Sequence, residues 1–184
     1  RGWASRARTV ASTQLPSWNR TVLDRWVKRA FERADSTRQV IAHSGVLPHF
    51  PQLDGTDSHL GFGWQHGQAE DLAAFAARLP RMVRFVSEFG ADAAPRTARF
   101  VEEQLDAHVW PDLDWDVLAE RYGYQRAIFE RFFPPADYES WQHWAETTQL
   151  YQAFVLKIQI ETLRRLKYRP TGGFCFSSLV DAAP

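Results

Sequence analysis

A chain of 184 residues with 45% hydrophobic residues is long enough for one domain with a buried core, and it contains no run of about 20 apolar residues that would predict a membrane span. Lysine and arginine together number 22, as do aspartate and glutamate, so no overall positive field would attract nucleic acid or an anionic membrane. We therefore treat residues 1–184 as one domain that binds neither nucleic acid nor membrane.

The first half of the chain contains one clear helix and one clear strand. Apolar residues at helical spacing predict a helix over residues 19–34, and a β-branched apolar run predicts a strand over residues 39–43. Residues 44–67 are rich in glycine, proline and histidine, and such long connections are usually functional or disordered. Their aromatic residues argue against disorder, and a short strand near residues 56–59 is compatible with the pattern.

The second half alternates strand and helix signals. Pro80 ends a short helix over residues 71–79, and a strand follows over residues 82–87. Four further helices and a last strand are predicted, over residues 97–105, 114–122, 125–132, 138–167 and 174–180. This alternation predicts an α/β fold with parallel strands and crossover helices, as in a doubly wound sheet or a barrel.

Candidate site residues follow the predicted strands, because ligands of α/β folds bind beyond the carboxyl ends of the strands. They are His43, Ser44, Asp57, Ser58, His59, Ser87, Glu88 and Asp181. No serine lies in a nucleophile-elbow pattern, which argues against serine hydrolysis. His43, His49, His59 and His66 lack the spacing of a helical zinc motif, so we expect no metal and no other cofactor.

The single cysteine, Cys175, allows neither an internal disulfide nor a cysteine-based zinc cluster, and we expect it to be buried. One cysteine and the absence of a secretory pattern in residues 1–6 favour a cytoplasmic protein. Because position 1 is Arg rather than Met, we expect the sequence to be part of a longer chain.

Residues 85–90, Phe-Val-Ser-Glu-Phe-Gly, resemble the strand-end motif around the nucleophile of glycoside hydrolase family 2, in particular of its β-mannosidase-like members. Two other stretches agree in order and spacing. Residues 57–67 resemble the substrate-side loop of those enzymes, and residues 161–184 resemble their final helix and strand.

The resemblance implies that residues 1–184 form the C-terminal half of a (β/α)8 TIM barrel, with strands five to eight and a helix-rich composition. It implies a retaining glycosidase that cleaves a β-linked neutral sugar, with Glu88 as its nucleophile. The substrate-binding residues would be Asp57, His59, Trp64 and His66. The acid/base glutamate of the family follows an asparagine, and since no Asn-Glu pair occurs here, we expect that residue upstream of Arg1.

The chain also departs from the β-mannosidase pattern. Gly61 stands where those enzymes commonly have Trp, Ser177-Ser178 replaces Trp-Gln, and Val180 replaces Asn. The altered sugar platform leaves the specific sugar open. It also leaves two other hypotheses, a non-catalytic carbohydrate-binding relative and a helical interaction module of a multidomain protein.

Overall fold

The computed structural model describes residues 22, 24–38, 40, 58–95 and 110–176. The chain divides into two compact units, Arg1–Ser44 and Gly45–Pro184. The helix predicted over residues 97–105 lies outside the described residues, as does the strand predicted over residues 39–43 except for Val40.

The first unit contains helix α1, Asp24–Ala34, which confirms the helix predicted from apolar spacing. Lys28 and Glu32 form an ion pair of 3.6 Å one turn apart on its surface. Its large apolar side chains are exposed, at Trp26, Val27 and Phe31. The chain turns after the helix, where the Asp35 carboxylate accepts hydrogen bonds from the backbone and the hydroxyl of Thr37. These bonds lower the pKa of Asp35.

The described residues of the second unit form a parallel sheet of three strands in the order β1, β2, β3, with β1 at Ser58–Leu60, β2 at Phe85–Phe89 and β3 at Gly173–Phe174. The parallel pairing agrees with the strand-helix alternation of the sequence. The middle strand begins three residues later than predicted, because Pro80–Val83 form a 3-10 helix. It also continues through Glu88, which sequence analysis placed just beyond it.

The helices of the second unit agree with the sequence pattern where they are described. They are α2 at Asp71–Arg78, α3 at Trp115–Tyr122, α4 at Arg126–Phe132 and α5 at Trp141–Arg165, with a second 3-10 helix at Pro135–Asp137. Side-chain caps fix two of the starts, because Asp114 accepts from the backbone of Val117 and Ser140 from that of His143. Within the described parts of the chain, no helix combines the length and apolar content that spanning a lipid bilayer requires.

Where the second unit is described, its buried apolar side chains form two clusters. The sheet core lies around β1 and β2 and contains Leu60, Phe62, Leu72, Ala76, Val83, Val86, Phe89 and Leu163. The aromatic core lies among α3, α4 and the first half of α5, and its largest members are Trp64, Phe129, Phe133, Trp141 and Trp144. Helix α5 contributes side chains to both, so it connects the sheet to the helical part of the unit.

The predicted partial (β/α)8 barrel with strands five to eight is wrong for the described residues, which form an open sheet of three short strands. In that part of the chain β1 and β3 each pair only with β2, so the sheet does not close. The reason lies in the connection between β2 and β3. Its helices pack aromatic side chains against one another and around Trp64 in a separate core beside the sheet core, whereas a barrel would spread its helices over successive strands.

Candidate functional site

Glu88 lies one residue before the end of β2, the middle strand of the sheet. Its neighbours Val86 and Phe89 are buried in the sheet core, and they anchor the strand on either side of it. The Glu88 side chain keeps 48% of its surface exposed. The strand therefore holds the carboxylate in a rigid backbone position while leaving it accessible.

His59 of β1 lies directly beside Glu88 in the parallel register of the sheet. Its Nδ1 atom is 3.4 Å from Oε2 of Glu88, and 41% of the histidine side chain is exposed. A register shift between Ser58 and His59 brings the two residues into alignment, because Ser58 pairs with Val86 and His59 pairs with Glu88, two residues further on. The two predicted residues from separate parts of the sequence thus form one accessible pair.

The β1 loop, residues 61–70, follows His59 and carries Trp64 and His66. It folds into a tight turn in which the carbonyl of Gly61 accepts three backbone hydrogen bonds, from residues 64, 65 and 66. Gly63 has a φ of 82° and lies against Ala69, so a side chain there would be both strained and crowded. His66 is exposed, and its ring makes an edge contact with Phe62 at 4.7 Å.

Trp64 lies inside the aromatic core, with 3% of its surface exposed. Its ring stacks on Phe132 at 5.6 Å and meets Phe129 edge-on at 5.0 Å. Its indole N–H donates a 3.1 Å hydrogen bond to the carboxylate of Asp92. This side chain fixes the β1 loop to the helices, and the sugar contact that the resemblance implies for it stays a prediction.

Asp57, the remaining predicted substrate residue, lies outside the described residues, as do His43, His49, Ser177, Ser178 and Asp181.

Cys175 is exposed rather than buried, which corrects the expectation from sequence. Its thiol lies 3.2 Å from the backbone oxygen of Ser87, beside the candidate nucleophile. Among the described residues, no group of three or more His, Cys, Asp or Glu side chains is arranged to hold a metal ion.

The residues that hold the site in place were not among the predicted site residues. Asp92 joins the β1 loop to the β2 segment, residues 90–95, through its bond to Trp64. Helix α5 buries Thr148, Val155 and Gln159, and the half-buried Gln152 lies on the same stripe, four residues after Thr148 and three before Val155. Polar residues within such a stripe were the available signal, because buried polar groups need partners.

No protein-family model matches the chain, and no curated protein and no solved structure shows significant similarity to it. The resemblance to glycoside hydrolase family 2 therefore depends on the residues quoted above.

Proposed function

We propose that this chain carries the nucleophile of a retaining glycoside hydrolase that cleaves a β-linked neutral sugar. The observation that supports this proposal best is the pairing of Glu88 with His59 on adjacent parallel strands, with both side chains accessible. Glu88 is the residue that the family resemblance selects as nucleophile, and His59 is one that it selects for the substrate side. The proposal does not require a barrel.

In the proposed reaction, a carboxylate oxygen of Glu88 attacks the anomeric carbon and displaces the leaving group as an alcohol. The resulting glycosyl ester is then hydrolysed by water, which releases the sugar and restores the carboxylate. Two inversions at the anomeric carbon retain its configuration. His59 would hold the Glu88 carboxylate through the 3.4 Å contact of its Nδ1, and its Nε2 would form a hydrogen bond with a sugar hydroxyl.

A second carboxyl group must protonate the leaving oxygen in the first step, and in retaining enzymes it lies about 5–5.5 Å from the nucleophile. We propose that it lies outside the present sequence, which lacks the Asn-Glu pair of the resembled family. The substrate pocket would include Asp57, His59 and His66, with Trp64 supporting the β1 loop from within the aromatic core, and no cofactor takes part in the proposed chemistry. A cytoplasmic location, expected from the single cysteine, belongs to the same proposal.

The stereochemistry of hydrolysis tests this proposal. The full-length gene product, incubated with a panel of aryl β-glycosides and followed by proton NMR, should release the β-anomer of the sugar first, before mutarotation forms the α-anomer. Retention follows from the two displacements at the same carbon. First appearance of the α-anomer would contradict a covalent intermediate. Binding of the sugars without hydrolysis would instead favour the non-catalytic relative.

A further inference from the structure

Two segments leave the candidate site, one from each paired strand. The β1 loop follows His59, and the β2 segment follows Glu88. Neither has the repeating hydrogen bonds of a helix or sheet, so their backbone groups need other partners. Helix α5 supplies them to both segments.

The β1 loop receives donors at three consecutive carbonyls. The Tyr151 hydroxyl donates to Gly63 at 2.5 Å, and the side-chain amide of Gln159 donates to Phe62 at 2.6 Å. The guanidinium of Arg131, on α4, donates to the carbonyl of Trp64. Burial, with a smaller effect from the negative charge of Glu70, raises the pKa of Tyr151, so its hydroxyl stays protonated and remains a donor.

The β2 segment is held in the same way. Gln152 donates to the carbonyl of Ala91 and Gln149 to that of Ala94, each at 2.7 Å. Gly90, with a φ of 131°, lets this segment approach α5 closely, since a side chain at that position would come within 3.3 Å of Leu156. The segment is therefore fixed to α5 from two residues after the candidate nucleophile onward.

Adjacent residues of α5 thus hold the two halves of the site. Tyr151 binds the segment that follows His59, and Gln152 binds the segment that follows Glu88. Both side chains are partly buried, and each directs one hydrogen bond at one particular carbonyl, which an apolar side chain that only packed at these positions could not do. The polar side chains instead determine where the two segments lie.

We propose that Tyr151 and Gln152 are positioning residues of the site, which set Glu88 relative to His59 and to the bound sugar by fixing the backbone that follows each of them. This inference rests on the proposed function and adds to it the residues that determine the geometry of attack. A nucleophile displaced by about 1 Å loses roughly a hundredfold in rate, so even a partial shift is measurable.

The test measures inactivation of the full-length gene product by a 2-deoxy-2-fluoro β-glycoside with a dinitrophenyl leaving group. It separates the limiting rate constant of inactivation from the concentration that gives half that rate. Gln152→Leu should lower the rate constant about tenfold and change the half-saturating concentration by less than about twofold. Tyr151→Phe, which removes only a hydroxyl and keeps the ring packed, should lower the rate constant in the same direction.

Gln149→Leu is the matched control, because it loses an equivalent 2.7 Å bond to a carbonyl three residues further from Glu88. Its rate constant should fall less than threefold, although its melting temperature should fall about as much as that of Gln152→Leu. The positioning role would be overturned if wild type, Gln152→Leu and Tyr151→Phe had equal rate constants. It would also be overturned if Gln149→Leu and Gln152→Leu lowered the rate constant equally. Either result would leave the proposed function intact. Absence of inactivation in the wild type would overturn the proposed function and this inference with it.

Discussion

Replacing Glu88 by Gln is expected to lower the turnover of β-glycosides by the full-length gene product by at least about 10⁴-fold. The amide has nearly the shape of the carboxylate but lacks its charge, so it cannot form the glycosyl ester. Losses of this size are typical when a nucleophile is removed. Because Glu88 is exposed at the end of a well-anchored strand, the substitution should change the melting temperature by only a few degrees.

Glu161→Gln provides a matched control for this loss. Glu161 lies on α5 with 45% of its side chain exposed, against 48% for Glu88, and each carboxylate lies 3.4 Å from a side-chain nitrogen, of Arg165 and of His59 respectively. Its substitution removes only an exposed ion pair, which contributes little to stability, so the fold should stay intact. Turnover should therefore stay within about twofold of wild type. Comparable turnover in the Glu88 and Glu161 variants, measured with the same aryl glycoside, would contradict the assignment of Glu88.

Trp144→Ala is expected to lower the free energy of unfolding by about 3–5 kcal/mol. Trp144 has no exposed surface and packs against Trp110, Trp115, Phe129 and Trp141, while its indole N–H donates to the carbonyl of Phe133 at 2.7 Å. The truncation would leave a cavity at the centre of the aromatic core and an unsatisfied buried carbonyl. Urea unfolding followed by circular dichroism measures the change.

Leu150→Ala, on the same helix, is the control for Trp144→Ala. Leu150 is 66% exposed, and alanine is the better helix former, so this variant should lose less than about 1 kcal/mol. If both substitutions lowered the free energy of unfolding equally, the packing of Trp144 in the aromatic core would not contribute the stability expected of it.

The helices that the structure describes could be predicted from the sequence because their signals are local. The apolar spacing of α5, with Ser140 as cap before it and basic residues in its last turn, is contained within the helix and its flanks. The same holds for α3, where Asp114 caps the start and Gly123, with a φ of 69°, ends the helix. Such contacts span only a few residues.

The shape of the sheet could not be predicted from local signals. Strand β2 follows from its apolar run, but the pairing of Phe85 with Gly173 joins residues far apart in the chain. Barrel closure depends on strand number and stagger, which an apolar pattern does not determine. The resemblance supplied the barrel hypothesis, and the open three-stranded sheet of the described residues corrects it.

The candidate site, like the fold, could be predicted only where its signals are local. The position of Glu88 near the end of a strand could be predicted from residues 82–90 alone. Its contact with His59 depends on the register shift in β1, which no local pattern indicates. The burial of Trp64 depends on Phe129 and Phe132, more than sixty residues later, so an aromatic side chain in a loop gave no sign of a core role.

The most direct test of the central claim is covalent trapping of the nucleophile. A 2-deoxy-2-fluoro β-glycoside with a dinitrophenyl leaving group needs little protonation to react, so its labelling reports the attacking carboxylate. Trypsin releases residues 85–96 as one peptide that contains both Glu88 and Asp92, and tandem mass spectrometry distinguishes the two. We predict that this peptide carries one fluorosugar on Glu88 and that Glu88→Gln abolishes the label. Attachment of the sugar to Asp92 or to any other carboxylate would contradict the account.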